Sequence, residues 1–495
     1  MVEAVLVAGA GPVGLTMAMS LKRCGVDVRI VDPAPERTDK SKALVIWPRT
    51  LELLDIQGCT ESFVATGLEG RGTRIFSHGR ELVHVTFDGV PSAYKFPLMI
   101  PQSDTERLLE AELQSLNLRV ERRVSLKTFE DEGSQVRAEL LHPDGTVETA
   151  RFAYLAGCDG AHSVVRHTLG VPFEGSTEQS DWVLADLHID GDIVPDELGL
   201  YWAPTGLLAF FPVGRERFRV IADRGASTGK TVANPTLDEV QQIVDSRGPT
   251  GLRVRDPVWL SGFRINERKV KDYRVGRVFL SGDAAHVHSP AGGQGMNTGM
   301  QDAFNLAWKL ALVTRGAASE TLLDSYSPER SAIGDMVLRN ASAMTHVATL
   351  QNPILREIRN AAAGVLSHIP ALRQRLVEQL CELDLNYEKG PLTAGSHGLG
   401  HPANGHRAPD VELSGGGRLY GVLRGPAFAL LSVGTPPLSV PGDLTGVVVS
   451  AGAESNAAYP KPGHLLVRPD GYIAASSDPE HGSDVVDHLR KVLGR

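Results

Sequence analysis

The 495-residue sequence contains few cysteines and no long basic segment. Its four cysteines are widely spaced and form no Cys-x-x-Cys pair, which argues against a disulfide scaffold and a zinc site. Fifty lysines and arginines stand against 59 acidic residues, and the resulting net charge of −9 disfavours nonspecific nucleic-acid binding. Because free thiols are typical of a reducing compartment, we expect a cytoplasmic protein. Because of the negative net charge, we expect no nucleic-acid partner.

The sequence also lacks an uninterrupted hydrophobic segment. The charge-free run from Ala4 to Leu21 is broken by Gly9, Gly11 and Pro12, and no basic region precedes it. We therefore expect neither a signal peptide nor a membrane partner. With 42% hydrophobic and 22% charged residues the composition is that of a globular protein, and the length predicts two or three domains.

Glycine, by contrast, is abundant at 52 residues, well above the usual ~7% of a chain. No collagen period is present, so the excess is expected at special backbone positions. The first cluster follows a short apolar run at residues 4–8, which predicts a buried strand. A helix predicted from Gly14 to Arg23 and a second strand at residues 26–31, ending at Asp32, complete a βαβ unit.

This first cluster, Gly9-Ala10-Gly11-Pro12-Val13-Gly14, has the spacing of a dinucleotide-binding loop. Gly9 permits a tight turn, Gly11 lets the backbone approach a pyrophosphate, and Gly14 lets the helix pack against the strand. The helix N-terminus offers free N–H groups to phosphates, and the Asp32 carboxylate can accept hydrogen bonds from a ribose diol. These residues predict a dinucleotide site but leave FAD and NAD open.

Two later glycine-rich segments separate those alternatives. Residues 158–166 (CDGAHSVVR) follow a predicted strand, and residues 282–286 (GDAAH) follow another and lead to residues 289–297 (SPAGGQGMN). In these three motifs and their order, the sequence resembles the flavoprotein aromatic hydroxylases of the p-hydroxybenzoate hydroxylase fold. The resemblance extends over residues 3–345 and implies FAD, held without covalent attachment.

The resemblance also implies roles for individual residues. Asp32 would bind the adenosine ribose, Asp283 the ribityl chain, and the N–H groups that begin at Gly295 the flavin pyrimidine. Asp159 and Arg166 belong to a motif linked to both FAD and the nicotinamide donor. The implied cofactor contacts are Gly9, Ala10, Gly11, Pro12, Val13, Gly14, Asp32, Lys42, Arg49, Gln102, Asp159, Gly282, Asp283, Gly293, Gly295, Met296 and Asn297.

One position departs from the family pattern. The family often has arginine before alanine in the loop that here contains Lys42 and Ala43. Lysine keeps the positive charge but loses the two-pronged guanidinium group. We expect Lys42 to contact a phosphate through its positive charge, and Arg49 could share that role.

The family chemistry implies three reactants besides the substrate: FAD, a nicotinamide donor and O2. NADPH or NADH reduces FAD, oxygen forms a flavin C4a-hydroperoxide, and a phenolic ring attacks its distal oxygen. The helix beginning near Gly295 would direct its positive end at the negative pyrimidine of the reduced flavin. The sequence has no second dinucleotide unit, Gly-x-Ser-x-Gly elbow or metal-ligand spacing, so we expect a transient donor at the surface and neither a triad nor a metal.

The substrate pocket is expected between the flavin and the β-rich middle of the chain. Its candidate substrate contacts are the aromatic residues Trp47, Trp202, Phe210 and Phe211. His288 and Pro290 are the candidate catalytic residues: His288 could hydrogen-bond or deprotonate a phenol, or be a structural histidine, and Pro290 resembles a family proline beside the flavin. Arg215, Arg217 and Arg219 stay open as anion contacts, but they form no clear cluster, which favours a polyketide-type polycyclic phenol.

The expected fold is α/β with an α+β insert. Residues 1–180 and 271–390 form a Rossmann-like FAD-binding domain with a helical region, and a mainly antiparallel β substrate domain at 181–270 interrupts it. A linker over residues 395–417 overlaps the start of residues 396–495, which resemble the thioredoxin-like tail of phenol and polyketide hydroxylases. Because this tail has no Cys-x-x-Cys, we expect it to have a structural role. We expect the protein to be a monomer or a homodimer. Deletion of the tail is expected to leave the flavin spectrum unchanged.

Three alternatives to an aromatic hydroxylase use the same fold. A Baeyer–Villiger enzyme would insert oxygen into a carbon–carbon bond. A flavin-dependent halogenase would resemble the Trp-x-Trp-x-Ile-Pro family, and no Trp-x-Trp occurs here. A flavin-binding protein without oxygenation would show no substrate-stimulated oxidation of NAD(P)H.

Overall fold

A computed structural model gives the architecture of the chain. The described residues are 3–214, 216–227, 229, 231–350, 352–367, 369–395 and 402–495. The helices are α1 Pro12–Arg23, α2 Pro48–Gln57, α3 Thr60–Thr66, α4 Gln102–Ser115, α5 Val164–Leu169, α6 Leu237–Arg247, α7 Gly295–Thr314, α8 Tyr326–Ala348, α9 Pro353–Ser367, α10 Pro370–Leu380, α11 Leu419–Val422 and α12 Gly482–Leu493.

The strands follow the same chain order. They are β1 Glu3–Ala8, β2 Val28–Asp32, β3 Val45–Ile46, β4 Leu68–Glu69, β5 Gly72–Ser77, β6 Arg80–Thr86, β7 Leu98–Met99, β8 Glu121–Arg122, β9 Ser125–Asp131, β10 Val136–Leu141, β11 Val147–Gly157, β12 Glu174–Asp190, β13 Glu197–Ala203, β14 Gly206–Pro212, β15 Arg217–Ala226, β16 Arg253–Lys269, β17 Arg274–Val275, β18 Val278–Leu280, β19 His286–Val287, β20 Phe428–Val433, β21 Val448–Ala453, β22 Gly463–Val467 and β23 Ile473–Ser477.

The first sheet contains β1 in its interior, as the predicted βαβ unit requires. Its main path runs β17-β18-β11-β1-β2-β8, with β10 and β9 added on an antiparallel branch from β11. β1 pairs in parallel with β2 and β11, and β11 pairs in parallel with β18. Because parallel strands end at one edge of a sheet, the three glycine-rich motifs that follow β1, β11 and β18 meet at that edge.

The second sheet forms the β-rich middle of the chain. Its order is β19-β16-β12-β15-β14-β13-β5-β6, and its pairs are antiparallel except for β13 with β5. One face packs against α6 in a core that includes Val183, Phe218 and Val240. These two sheets confirm the predicted fold class. The second sheet also includes residues 72–86, so it is built from more of the chain than 181–270, and the domain limits stay a prediction.

The tail forms a third sheet in the order β21-β20-β22-β23, with β20 and β21 parallel and the other pairs antiparallel. This is a thioredoxin-like order, as the resemblance implied. The sequence from 402 to 495 contains no cysteine. Pro469-Asp470-Gly471, whose composition predicts a hairpin turn, joins β22 to β23, and Asp470 is buried.

Residues 402–411 of the segment expected to be a linker are buried or half-buried against the rest of the protein, which corrects the expectation for this part. Residues 396–401, including the predicted boundary at 396, lie outside the described residues. Beyond them, Arg407 and Ala408 are buried, and Arg407 donates a 2.9 Å hydrogen bond to Glu52 Oε1. The glycine and proline content of this segment is typical of a linker. Composition alone does not show which other parts of the chain pack against a segment.

Helix α7 is buried on both faces. The predicted apolar stripe is buried, as expected: Ala303, Leu306, Ala307 and Leu310. The opposite face is polar and is buried too, under α8 and the tail: Thr298, Asp302, Asn305 and Lys309. Among the described helices, none is long and apolar enough to cross a membrane.

Candidate active site

A cleft of about 570 Å³ opens where the edge of the first sheet faces the second sheet. Its walls come from the loops after β1, β11 and β18, from the start of α7, and from β14 and β15. Ligands of α/β proteins bind at this end of parallel strands. The predicted site residues that line the cleft are Gly11, Pro12, Val13, Lys42, Gln102, Asp159, Phe211, Asp283, His288, Pro290, Gly293, Gly295 and Met296.

The first glycine loop is fixed by close backbone contacts. Gly9 has a φ of +99°, and a Cβ on it would lie 2.4 Å from the Cys158 carbonyl oxygen. A Cβ on Gly14 would lie 1.9 Å from the Gly9 carbonyl oxygen. A Cβ on Gly11, in contrast, would meet no atom within 4 Å. Packing within the protein does not require glycine at position 11, which leaves room for a phosphate to approach the backbone.

Asp32 ends β2 beside this loop. Its Oδ2 accepts a 2.7 Å hydrogen bond from the Ala10 N–H, and its Oδ1 accepts one of 2.8 Å from the Ala34 N–H. The Arg122 guanidinium lies 3.5 Å from Oδ1. The carboxylate therefore shapes the glycine loop, while its contact to a ribose stays a prediction.

The N-terminus of α7 faces the cleft with unpaired donors. Within the described part of the chain, no side chain caps this helix, and the first N–H groups of a helix have no acceptor within it. The Asn297 side chain already bonds to other protein groups. It accepts a hydrogen bond from the backbone N–H of Trp47 and donates one to the Val45 carbonyl, both at 2.9 Å. What α7 offers a ligand is therefore backbone N–H groups and a positive dipole end.

Asp283 and Lys42 place opposite charges in the cleft. Asp283 lies in the short turn after β18, and both side chains are exposed to the cleft space. Loss of hydration around the Asp283 carboxyl raises its pKa, whereas the electrostatic effects of His286 and Lys42 lower it. A carboxylate here suits hydroxyl donors and an ammonium group suits a phosphate, and the roles that the family resemblance implies for these two residues stay predictions.

Asp159 has one buried oxygen atom without a partner. Its Oδ2 accepts a 3.1 Å hydrogen bond from the Val165 N–H at the start of α5. Its Oδ1 is buried and has no hydrogen-bond partner among the described residues. Burial raises the pKa of this carboxyl. Since buried polar atoms nearly always have a partner, this oxygen favours a ligand with a donor group in the cleft.

His288 is a neutral imidazole near the start of α7. Its Nδ1 donates a 2.8 Å hydrogen bond to the Ser289 carbonyl, so this nitrogen carries the proton. Burial lowers the pKa of His288 to about 4, and His286 adds to that shift. Nε2 has no partner among the described residues and retains its lone pair. Pro290 follows in the same loop and is exposed to the cleft.

Two predicted arginines bind groups of the protein instead of facing the cleft. Arg49 is fully buried and donates to Glu52 at 3.0 Å and to the Asp470 carbonyl at 2.8 Å. Arg166 is buried and donates to the Ala284 carbonyl at 3.0 Å. Neither guanidinium group lines the cleft, and the phosphate role expected of Arg49 and the nicotinamide role expected of Arg166 stay predictions.

The predicted aromatic residues lie in different places, and only Phe211 among them lines the cleft. Phe210 is 1% exposed and packs in the core of the second sheet, because adjacent strand residues face opposite sides. Trp202 lines a separate cavity of about 320 Å³. Trp47 is buried and its Nε1 donates a 2.9 Å hydrogen bond to the Gly292 carbonyl. None of these last three residues lines the cleft, and the substrate contacts expected of them stay predictions.

Gln102 lies in the cleft wall, but protein groups already use its amide. Its Oε1 accepts from the Ala43 N–H at 3.1 Å, and its Nε2 donates to Glu106 at 2.9 Å. Gln102 therefore supports the loop that carries Lys42. Its direct contact to a cofactor stays a prediction.

Arg219 on β15 has a role that the sequence did not reveal. It donates to both carboxylate oxygens of Asp186, at 2.7 and 2.9 Å. It also donates to the carbonyls of Ser41 and Lys42, the latter at 2.9 Å. Arg219 thus joins the second sheet to the loop of Lys42. The charge at position 219, between the apolar residues Phe218 and Val220, is the available signal, since a buried charge is rarely without a partner.

Asp302 on α7 is a second residue that sequence reasoning missed. It is fully buried, and its Oδ2 accepts 2.9 Å hydrogen bonds from the Gly282 N–H and from His286 Nε2. Arg330 Nε donates to its Oδ1 at 2.6 Å. Burial alone would raise the pKa of Asp302, but Arg330 and His286 outweigh it and lower that pKa. Asp302 therefore holds the Gly282-Asp283 turn from beneath the cleft.

The cleft fits FAD on three separate features. The space at Gly11 suits a pyrophosphate, the uncapped start of α7 suits an electron-rich pyrimidine, and the unpaired Asp159 oxygen suits a ligand hydroxyl or amide donor. Within the ranges that the structure describes, no group of three or more metal-ligating side chains is found.

Comparison with known proteins gives the family. The FAD binding domain family model matches residues 3–341, and the aromatic-ring hydroxylase C-terminal model matches residues 401–495. The chain is 34% identical to a 6-methylpretetramide 4-monooxygenase of Streptomyces rimosus, over 95% of this chain and 90% of that protein. It is 32% identical to a rifampicin monooxygenase of Streptomyces venezuelae, over 95% and 94% of the two chains.

A solved structure agrees over the full length. The OxyS anhydrotetracycline hydroxylase from Streptomyces rimosus matches with a TM-score of 0.82 and 31% identity, covering 100% of both chains. The family match, the glycine-rich motifs and the cleft all identify FAD as the cofactor. The chain therefore belongs to the FAD-dependent aromatic hydroxylases, a family of flavoprotein monooxygenases, and carries their C-terminal domain.

Proposed function

We propose that this protein uses NADPH or NADH and O2 to hydroxylate a phenolic ring of a polycyclic, polyketide-like substrate. The single observation that carries the proposal is the shared cleft, in which the flavin-binding loops form one wall and Phe211 of the second sheet forms the other. FAD supplies the electron transfer and the oxygen activation when it is bound. The protein's own groups bind the ring, orient it and exclude water.

The chemistry of the cleft supports a large, apolar substrate. Phe211 and Ile221 line the second-sheet wall, and the Arg219 guanidinium is already paired with Asp186. Of the other open candidates, Arg217 is not among the cleft residues and Arg215 lies outside the described residues. The relatives named for anhydrotetracycline and rifampicin support the same substrate class.

His288 is proposed to orient the phenol by accepting its hydrogen bond. A phenol has a pKa of about 10, whereas the pKa of His288 is lowered to about 4. Full transfer of the proton to this imidazole is therefore unfavourable. Nε2 instead accepts a hydrogen bond from the phenol, which fixes the ring and increases its electron density.

The test measures NAD(P)H oxidation and O2 uptake with a panel of polycyclic and monocyclic phenols. We expect polycyclic phenols to raise both rates and to gain one oxygen atom, as detected by mass spectrometry. Phe211→Ala should raise the KM for the substrate. Trp202→Phe is the matched control, because Trp202 lines a different cavity, and its KM should be unchanged.

The alternatives give different results in the same assay. Oxygen inserted into a ring bond, identified by NMR of the product, would indicate Baeyer–Villiger chemistry. If no phenol raises O2 uptake above the resting rate, the monooxygenase proposal fails and a flavin-binding role without oxygenation is favoured.

A cytoplasmic location and a monomeric or homodimeric state belong to the same proposal. The four cysteines are free and buried, which supports a reducing compartment. Cell fractionation and light scattering of the purified protein test these two points.

A further inference from the structure

The hairpin turn of the tail domain enters the interior of the flavin-binding domain. Arg468 and Asp470 flank Pro469 in this turn and are only 1% and 4% exposed. Charged side chains are almost never buried so completely unless they are paired. Their partners therefore show what the turn does.

Arg468 binds a carboxylate of the flavin-binding domain with both prongs of its guanidinium group. Its two Nη atoms donate to the two oxygens of Glu329 on α8, at 2.7 and 2.9 Å. The same guanidinium group donates to Asp470 at 2.6 and 3.0 Å. All three side chains are buried, so this is a buried bidentate contact between the tail and α8.

The contact continues onto α7, whose first residues face the cleft. Glu329 Oε2 also accepts from Asn305 Nδ2 and from Lys309 Nζ, each at 2.8 Å. Asp470 Oδ2 accepts from Trp308 Nε1 at 3.2 Å. Three positions of α7, at 305, 308 and 309, are therefore held by one α8 carboxylate and by the turn of the tail.

A second path runs along α8 to another part of the flavin-binding wall of the cleft. Arg330, the neighbour of Glu329, donates to Asp302 at 2.6 Å and to the Thr298 carbonyl at 3.0 Å. Asp302 in turn accepts from the Gly282 N–H. Buried polar contacts thus connect Arg468 to the Gly282-Asp283 turn and to the first turns of α7.

The charges in this path depend on one another. Burial alone would raise the pKa of Glu329, but Arg468 and Lys309 outweigh it and lower that pKa to about 2. Glu329 is therefore an anion in the interior, and Arg468 is its bidentate partner. Removal of one member of a buried pair leaves the other charge uncompensated, and the surrounding groups must rearrange.

We propose that Arg468 is a positioning residue for FAD: through Glu329 and helices α7 and α8, the tail domain holds the Gly282-Asp283 turn and the start of α7 in their cofactor-binding positions. The proposal requires FAD in the cleft but does not depend on which substrate is oxidised. It opposes the expectation that removal of residues 396–495 spares the flavin. The tail acts here as a structural part of the cofactor site, without redox chemistry of its own.

The experiment compares three full-length variants with the wild type: Arg468→Met, Arg468→Lys and Leu489→Ala. Leu489 is the matched control, because it is 1% exposed in the core of the tail and makes no polar contact with this path. For each apoprotein, the Kd for FAD is measured by flavin fluorescence at a temperature well below its unfolding transition. The visible circular dichroism of bound FAD is recorded as a second readout.

We expect Arg468→Met to raise the Kd for FAD at least tenfold and to change the dichroism of the flavin bands. Arg468→Lys keeps the charge and should recover part of the affinity. Leu489→Ala should lower the unfolding temperature while the Kd and dichroism stay native. Native values of both in Arg468→Met, or equal losses of affinity in Arg468→Met and Leu489→Ala, would overturn the proposal.

A milder variant keeps the proposal testable if Arg468→Met does not fold. Asp470→Asn removes one charged partner of Arg468 and keeps the side-chain shape. We expect it to raise the Kd for FAD severalfold. A native Kd for folded Asp470→Asn would then overturn the proposal, whatever the catalytic rate of the loaded enzyme.

Discussion

Helix α7 contributes to two regions that differ in whether their polar groups have hydrogen-bond partners. At its start, in the cleft, backbone donors and one oxygen of nearby Asp159 have no partner within the described structure. Along its polar face, the buried charged layer of Asp302, Lys309, Glu329 and Arg330 is paired at distances of 2.6 to 2.9 Å. Of these groups, those left unpaired face the cleft, where a ligand can satisfy them.

The reason lies in the cost of burial. A buried charge without a partner is strongly destabilising, so the layer beneath the cleft must be complete before any ligand binds. The cleft is open to solvent, and water can hydrate its donors until a cofactor replaces it. Substitutions in the layer should therefore lower the stability of the fold as well as the affinity for FAD, whereas substitutions in the cleft should lower the affinity for FAD and leave the stability unchanged.

The largest effect is expected from breaking the charged layer at Arg330. Arg330→Met leaves Asp302 buried without its guanidinium partner, so we expect a loss of about 3–5 kcal/mol in the free energy of unfolding. Denaturant titration measures this loss. Arg71→Met is the matched control, because Arg71 is 79% exposed in an ion pair with Asp196, and its effect should be under about 1 kcal/mol.

Gly11→Val should lower the binding of FAD in the cleft without lowering the stability that depends on the charged layer. The new side chain meets no protein atom near its Cβ but occupies the space of the pyrophosphate, so the fold should persist while FAD affinity falls on the order of 100-fold, or about 3 kcal/mol. Titration of the apoprotein with FAD checks this result. Gly421→Val in the tail, where a Cβ is equally unobstructed, should bind FAD normally.

Asp283→Ala tests a single polar group of the cleft. Loss of its carboxylate removes the predicted acceptor for the ribityl hydroxyls, and we expect the affinity for FAD to fall by about tenfold. Asp283→Asn retains one acceptor oxygen and should lose less. If purified Asp283→Ala is fully loaded and binds FAD with native affinity, the assignment of Asp283 is wrong.

The last effect depends on pH and concerns Glu382, whose hydrogen-bond partners among the described residues, Thr298 and Gln301, are uncharged. It is fully buried and accepts from Gln301 Nε2 at 2.5 Å. Burial raises the pKa of Glu382 from 4.5 to about 8 despite the opposing effect of Arg330. The folded state therefore binds one proton more than the unfolded state between these values, and this residue makes stability fall as pH rises from 4.5 to about 8.

Glu382→Gln should remove that contribution. We expect the variant to be more stable than the wild type near pH 8, by at most about 4 kcal/mol for a pKa shift of this size, and to differ less near pH 5. Denaturant titrations across this pH range measure the difference. An unchanged slope of stability against pH would show that Glu382 is ionised in the folded protein.

The sequence predicted the parts of the site that depend on local spacing. Glycines at 9, 11 and 14 and the turn at Gly282-Asp283 follow predicted strands, so their place at the edge of the first sheet was predictable. The places of Arg49 and Arg166 were not predictable, because sequence position does not show which way a buried guanidinium points. Trp47, Trp202 and Phe210 show the same difficulty for aromatic side chains.

The sequence by itself determined that the chain binds a dinucleotide through a βαβ unit, because the steric need for glycine acts between near neighbours. Only the tertiary structure decided what covers the polar face of α7. Thr298, Asp302, Asn305 and Lys309 have a helical spacing typical of a solvent-exposed face, yet α8 and the tail bury them. Burial depends on segments distant in the chain, and Arg468 reaches Glu329 across 139 positions.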